Sequence, residues 1–264
     1  MKAVKKHTDN RWLLLSIERW LTAPIEQEDG TTIPRTRGVP QGGVISPVLS
    51  NLFMHYAFDK WMERTFPSEP FCRYADDGLV HCVSEQAAKV VLETLSARLE
   101  ACGLSAHPDK TKIEYCKDDD RRGGYAVTSF DFLGYTFRPR RSKSRYGKFF
   151  INFSPAISAQ AIKVIRQTVR RWRLHLRSDK SLLDPSRMFR AEIRGWIHYY
   201  GRFYKSALYP TLRHINGKLI LWATRKYKRL QRHRRRAEYR LGRIAKRSPH
   251  LFPPWQLGVK PTVE

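Results

Sequence analysis

The chain has 264 residues, 41% of them hydrophobic and 12% aromatic, with a formal net charge of +26. That length and apolar content allow a buried core in one large or two smaller domains and exclude a wholly disordered chain. The charge points to a polyanionic partner, and it is unevenly placed. Residues 1–150 carry 23 Lys and Arg against 19 Asp and Glu, whereas residues 151–264 carry 27 against 5. The C-terminal half is therefore expected to be the main nucleic-acid grip. No stretch approaches the ~18 apolar residues of a membrane span, and Met1 is followed by Lys2, Lys5 and Lys6 rather than by an apolar signal core. Cys72, Cys82, Cys102 and Cys116 form no C-x-x-C pair. They read as isolated reduced thiols of a cytoplasmic protein with no membrane partner, not as structural zinc ligands.

Taken in order, residues 11–22 read as a helix preceded by the cap candidates Thr8, Asp9 and Asn10. Residues 25–35 suggest a small hairpin turning at Asp29-Gly30. In the run Arg37-Gly38-Val39-Pro40-Gln41-Gly42-Gly43-Val44-Ile45-Ser46-Pro47, glycines allow close backbone approach to a ligand and Gln41 offers donors and an acceptor. Ser46-Pro47 reads as an N-cap and first-turn pair for a buried helix with Leu49, Leu52, Phe53, Tyr56 and Ala57 on one face. A Gly-rich loop feeding a helix N-terminus suits an anion; a glycine loop with no ligand is the plainer alternative.

The stretch from Phe71 to Cys82 places Asp76 and Asp77 beside Gly78 between two apolar, aromatic-rich runs. Asp-Gly between strand-like runs signals a hairpin, here with both carboxylates at its tip. Hard divalent cations such as Mg²⁺ take one or two carboxylates plus waters and substrate phosphates, although an Asp-Asp-Gly surface turn is equally compatible with the residues alone. Residues 86–102 form an amphipathic helix stopped by Gly103. Residues 107–116 read as a turn and then a strand, with Lys110 and Lys112 near its start. Residues 130–138 are aromatic-rich with a central glycine, as in a hairpin where another backbone approaches closely. Residues 139–150 are basic with Gly and Ser and read as a linker.

From Ser154-Pro155 the periodicity is helical. Ile162, Ile165, Val169, Trp172 and Leu176 form an apolar stripe, with arginines around the other side. Further helices are expected over about 187–207 and 210–229, the latter with Leu212, Ile215, Leu219 and Trp222 inward. From Arg232 a basic tail runs to Phe252-Pro253-Pro254-Trp255. Basic residues interleaved with aromatics suit RNA; Arg166, Arg170, Arg173, Arg177, Arg194, Arg225, Lys226 and Arg229 are the candidates, and most of the tryptophans read as core.

Taken together these segments resemble the reverse transcriptase/maturase proteins encoded by group II introns. Gly38 to Pro47 is similar to that family's template- and nucleotide-contacting loop, and Tyr74-Ala75-Asp76-Asp77 to its metal motif. His107 to Lys112 resembles the following lysine motif, Phe132-Leu133-Gly134-Tyr135-Thr136-Phe137 the primer grip, and Arg194-Gly195-Trp196 with its flanking helices the thumb. The resemblance implies an α+β chain: a partial right-hand polymerase palm with an antiparallel sheet over residues 1–138, then an all-α thumb or maturase domain over residues 151–264. It implies RNA-directed DNA polymerisation with Asp76 and Asp77 binding two Mg²⁺ ions. Pro40, Gln41, Gly42, Gly43, Tyr74, Ala75 and Lys110 would contact template and dNTP, and Phe132, Leu133, Gly134 and Tyr135 the DNA primer. Group II intron RNA would be the partner of the basic half. The family's first palm strand, with its third carboxylate, has no counterpart before Asp9. The expectation is of an N-terminally truncated polymerase that copies poorly alone; the alternative is a non-catalytic maturase remnant that folds intron RNA.

Overall fold

Asn10 starts the first helix: its side chain accepts hydrogen bonds from the backbone N–H groups of Trp12 and Leu13, and α1 runs Arg11–Thr22. The chain is described here from a computed structural model that covers residues 1–35, 38, 42–121 and 123–261. Its described residues are α+β and fall into two units, Met1–Ile113 and Glu114–Glu264. Arg37, Val39, Pro40 and Gln41 of the expected template loop lie outside the described residues.

In the first unit, β1 (Ile25–Glu26) and β2 (Thr32–Ile33) pair antiparallel around a turn in which Gly30 has φ 81°. The helix α2 (Ser46–Met54) has Ile45 as its N-cap and no side-chain cap bond, so Ser46 is the first helical residue instead of the cap. Contrary to expectation α2 has no fully buried residue; burial begins in the π-helical turn His55–Asp59, at Ala57 and Phe58. The chain re-enters α geometry as α3 (Lys60–Thr65). A π turn displaces carbonyls from their usual partners. Here Arg98 of α4 (Glu85–Ala101) donates to the carbonyls of Tyr56 and Ala57, both at 3.3 Å. Between α3 and α4 lies the hairpin of β3 (Phe71–Tyr74) and β4 (Asp77–Val80), a separate two-stranded sheet. Phe58, Met62 and Val91 form a small core, with Phe71 and Val80 of the hairpin packed against it. Residues 111–116 form no strand, although the Tyr115 N–H still bonds the Val127 carbonyl at 3.0 Å.

The second unit contains a three-stranded antiparallel sheet, β5 (Phe130–Phe132), β6 (Tyr135–Lys143) and β7 (Phe149–Ile157). The expected linker 139–150 is thus paired strand and turn, with Pro139 opposite Phe153 and Lys143 opposite Phe149. Its Arg, Lys and Ser side chains mark an exposed ribbon, not a flexible connection. Five helices follow: α5 (Ala159–Arg171), α6 (Leu183–Tyr200), α7 (Tyr209–Lys226), α8 (Arg234–Arg247) and the short α9 (Pro253–Gln256). Ser158 caps α5 by accepting from the Ala161 N–H.

Leu212, Ile215, Leu219 and Trp222 each keep only 1% of their surface exposed, as their spacing predicts. Leu176, by contrast, lies beyond the end of α5 and is exposed. The expected tail is instead integral. Ala237, Leu241 and Ala245 recur every four residues as a small buried stripe of α8, and Phe252 and Trp255 are buried. The Trp255 indole donates to Asn216 Oδ1 at 2.9 Å, and Asn216 Nδ2 donates to the Val259 carbonyl at 3.0 Å. Among the described residues no helix is long and apolar enough to cross a membrane, and all four cysteines are free.

Candidate functional site

The β3–β4 hairpin pairs Tyr74 with Asp77, leaving Ala75 and Asp76 as its two turn residues. The turn therefore falls one residue earlier than the expected Asp76-Asp77 tip. Gly78 lies inside β4 opposite Arg73, where a Cβ would sit 3.5 Å from the Phe58 ring. Asp76 occupies the tip and Asp77 opens β4, and both are exposed. Ala75 has φ 55°, a left-handed conformation that costs an L-residue about 1–2 kcal/mol. Such strain persists only where the surroundings over-determine it.

Arg73 supplies the over-determination. Its Nε and Nη2 donate to the two carboxylate oxygens of Asp59, both at 2.7 Å, a fork-to-fork pair. Its Nη1 donates to the Ala75 carbonyl at 2.6 Å and to Asn51 Oδ1 at 3.1 Å. One guanidinium thus ties the strained peptide preceding Asp76 to α2 and to the π turn that presents Asp59. His55 Nδ1 lies 3.3 Å from Asp59 Oδ2. The hydrogen bonds and charge of Arg73 hold the Asp59 carboxyl below its ordinary range, against partial burial. Neither Arg73 nor Asp59 was marked by the motif reading; Arg73 stands three residues before Asp76, but Asp59 has no sequence signal apart from ending a helical run.

The other expected residues are dispersed. Gly42, with φ 90°, and Gly43 precede α2, and the Gly43 carbonyl accepts from the Ser46 N–H at 3.1 Å. Pro40 and Gln41 lie outside the described residues. Tyr74 is 64% exposed. Lys110 sits in an exposed turn whose N–H bonds the His107 carbonyl at 3.2 Å.

Phe132, Leu133, Gly134 and Tyr135 belong to the second unit, at the β5–β6 turn. Leu133 and Gly134 have φ 50° and 78°, the sign pattern of a type I′ turn. Tyrosines of α6 and β6 tie it down: the Tyr199 hydroxyl of α6 donates to the Leu133 carbonyl at 2.9 Å, and the Tyr135 hydroxyl of β6 donates to the Tyr199 carbonyl. A Cβ at Gly134 would lie 2.9 Å from the Tyr200 hydroxyl, so the close neighbour is a side chain and not the backbone expected there. Burial pushes the Tyr135 phenol up from its ordinary value.

Of the expected RNA-contacting residues, Arg170, Arg173, Arg194, Arg225 and Arg229 are exposed. Arg166 is half-buried. Arg177 donates to the Trp172 carbonyl at 3.1 Å and Lys226 to the Ser178 carbonyl at 2.8 Å, so those two also fasten the loop after α5. Among the described residues no three or more His, Cys, Asp or Glu side chains come together as a metal cluster. The donors that fit Mg²⁺ by their hard-oxygen chemistry are Asp76 and Asp77.

Comparison with known proteins gives two family matches. Residues 1–137 match the model for reverse transcriptase (RNA-dependent DNA polymerase), and residues 162–240 match the group II intron, maturase-specific domain. Protein YkfC of Escherichia coli (strain K12) is 28% identical over 209 residues, 62% of this chain and 51% of that protein. The retrotransposable element SLACS 132 kDa protein of Trypanosoma brucei gambiense is 31% identical over 130 residues, 48% of this chain and 11% of that protein. The chain therefore spans about half the length of the first relative and about a tenth of the second.

Proposed function

The chain belongs to the reverse transcriptase (RNA-dependent DNA polymerase) family, and we propose that it acts as a group II intron reverse transcriptase/maturase. In this reading residues 1–138 belong to a polymerase palm and the basic helices over residues 151–264 are the thumb or maturase domain. The partners are group II intron RNA, an RNA template, a DNA primer and dNTP. The observation that carries the reading is the clamped turn: Arg73 holds the peptide before Asp76 through Asp59, Asn51 and the Ala75 carbonyl. A carboxylate presented on an over-determined turn suits chemistry that depends on pre-organised charge.

The reaction is attack of a primer 3′-hydroxyl oxygen on the dNTP α-phosphorus, forming the new phosphodiester and releasing pyrophosphate. Asp76, with Asp77 beside it, would hold Mg²⁺, which when bound supplies charge stabilisation at the phosphoryl oxygens. Arg73 keeps the Asp76 turn in place, and exposed Tyr74 offers a ring beside it. Gly42 and Gly43 before α2 would let template and nucleotide come close.

A second reading is favoured by one observation, the lack of a third acidic, His or Cys ligand clustered with Asp76 and Asp77 among the described residues. In that reading the chain grips and helps fold intron RNA but copies it weakly or not at all. Primer extension on an RNA template with Mg²⁺, run beside Asp76→Ala, separates the two. Extension lost in the variant supports polymerisation; no extension, with RNA binding retained in both proteins, supports the maturase reading alone. Loss of RNA binding by the unaltered chain would defeat both.

A further inference from the structure

A groove of about 470 Å³ lies beside α7 and the start of α8, lined by Arg213, His214, Lys218, Leu221, Arg232 and Arg234 among others. The α7 residues follow helical spacing, with His214 and Lys218 one turn apart on one face. Between them Gly217 keeps the floor open, since a Cβ there would meet nothing within 4 Å. On the other side the backbone of Arg232 is left-handed, φ 60°, in the connection that carries Arg232 and Arg234 into the groove wall.

None of Arg213, Lys218, Arg232 and Arg234 has a side-chain hydrogen bond or ion pair among the described residues, and no carboxylate lines the groove. Four cations gathered on a concave surface without a counter-charge repel one another and focus a positive potential into it. His214 adds a polar group in the same condition: its Nε2 is buried and has no hydrogen-bond partner. Burial, and then Lys218 of its own helix and Arg166 and Arg170 of α5, hold its pKa below the ordinary histidine value. The charged groups facing His214 from α7, from α5 and across the groove are thus all cationic.

We infer that this groove is an anion site that takes a backbone phosphate of RNA, and that His214 takes up a proton from solvent when the phosphate binds. The inference rests on the reading of the helical unit as an RNA grip, and it places the grip on residues outside the arginine stripe of α5 while remaining within that stripe's field. The positive field extends from the groove towards Arg166 and Arg170, which suits a polyanion passing over the site better than a single small anion. A phosphate there supplies the missing negative charge, which favours the imidazolium. By reciprocity RNA then binds more tightly when His214 is protonated. Affinity is greatest at low pH and declines as pH rises through the RNA-bound pKa of His214.

The test uses the full chain, a single-stranded RNA oligonucleotide and, separately, inorganic phosphate. The His214 imidazole is followed by NMR across pH, assigned with His214→Gln. The expected result is that RNA raises the His214 pKa by about one unit, with RNA affinity falling about tenfold as pH rises through the transition. His214→Gln should flatten that dependence while retaining binding at high pH. Arg213→Gln/Lys218→Gln should lower the slope of affinity against salt by about 1–2, as expected for one or two lost phosphate contacts. An unmoved His214 titration together with an unchanged salt slope, in a chain that binds RNA, overturns the groove and leaves the RNA grip standing. If the chain binds no RNA, the RNA assignment falls with the maturase reading. In that case a His214 shift on adding inorganic phosphate would reassign the groove to a free phosphate ligand.

Discussion

Two hairpins in this chain face the same conformational problem and meet it with different chemistry. The β3–β4 turn puts Ala75 in the left-handed region, and the β5–β6 turn does so with Leu133 followed by Gly134. In the first, a charged fork holds the turn: Arg73 bridges Asp59 and the Ala75 carbonyl. In the second, phenol rings do it: Tyr199 bonds the Leu133 carbonyl, and Tyr135, Tyr199 and Tyr200 lie within 5.5 Å of one another by ring centroid. The surroundings explain the choice. The first hairpin stands on a core of three fully buried residues and leaves its two carboxylates to solvent. The second runs from the sheet into a helical core in which Trp222, Leu212 and Ile215 are almost wholly enclosed. A turn that must present exposed charge is held by ionic groups, whereas one that need only join sheet to helix is held by packing.

The largest expected effect tests the ionic clamp. Arg73→Ala removes the fork, frees the Ala75 carbonyl and leaves the half-buried Asp59 carboxylate with only His55 beside it. Breaking such a pair costs on the order of 3 kcal/mol, to be read from the urea midpoint of the first unit. RNA affinity, assigned here to the second unit, should stay within about twofold. An unchanged midpoint would show that the hairpin is held by Phe71 and Val80 alone. Next comes Gly134→Ala in the aromatic clamp. The added methyl meets the left-handed penalty and displaces the Tyr200 hydroxyl, for a cost of about 2 kcal/mol. That loss should lower the melting temperature of the second unit, and Tyr200→Phe should return part of it by removing the oxygen in the way.

How far these devices were legible in the sequence differs between the two regions for a physical reason. Local patterns read well. The bounds of α1, the Asp29-Gly30 hairpin and the inward face of α7 follow from capping, turn chemistry and 3.6-residue spacing, and each is found as expected. Features set by tertiary partners did not read. Asp-Gly is a favoured turn pair, but the hairpin turns at Ala75-Asp76 because Arg73 holds the neighbouring carbonyl and Phe58 packs under Gly78. The π turn at His55–Asp59 has no composition cue; its freed carbonyls are met by Arg98, some 40 residues away. In α8 the abundance of arginine hid a short buried apolar stripe, Ala237, Leu241 and Ala245. Basic residues with Gly and Ser at 139–150 suggest a linker, yet strand pairing tolerates them on an exposed ribbon. The carboxylates of the candidate site were visible, while the side chain that positions them was not.

A smaller effect separates the clamps by pH. The Asp59 carboxyl is held below its ordinary value by Arg73, so the folded state binds this proton less readily than the unfolded chain does. The corresponding stability is fully present above about pH 4, and it is lost as pH falls through the lowered value. Amide exchange of the β3–β4 strands should therefore quicken on acidification before that of β5 and β6, whose turn is held by the Tyr199 hydroxyl on the Leu133 carbonyl and not by a carboxylate. Equal acid sensitivity of both hairpins would remove the distinction.

The smallest expected effect is the most specific. Ala75→Gly relieves the left-handed penalty of about 1 kcal/mol, but glycine also enlarges the unfolded ensemble by about 0.5–1 kcal/mol. The net change in the unaltered chain should then be within a few tenths of a kcal/mol, although the turn itself has changed. The value of the substitution lies in combination with the clamp. Where Arg73 has been replaced by alanine, the glycine cost in the unfolded chain is unchanged but the hydrogen bond that offsets the strain at Ala75 is gone, so Ala75→Gly should be more favourable there than in the unaltered chain. A double-mutant cycle of Arg73→Ala and Ala75→Gly, read by urea unfolding, isolates that coupling. A coupling near zero would mean that Arg73 stabilises Asp59 and the helix it ends, with no hold on the peptide that presents Asp76.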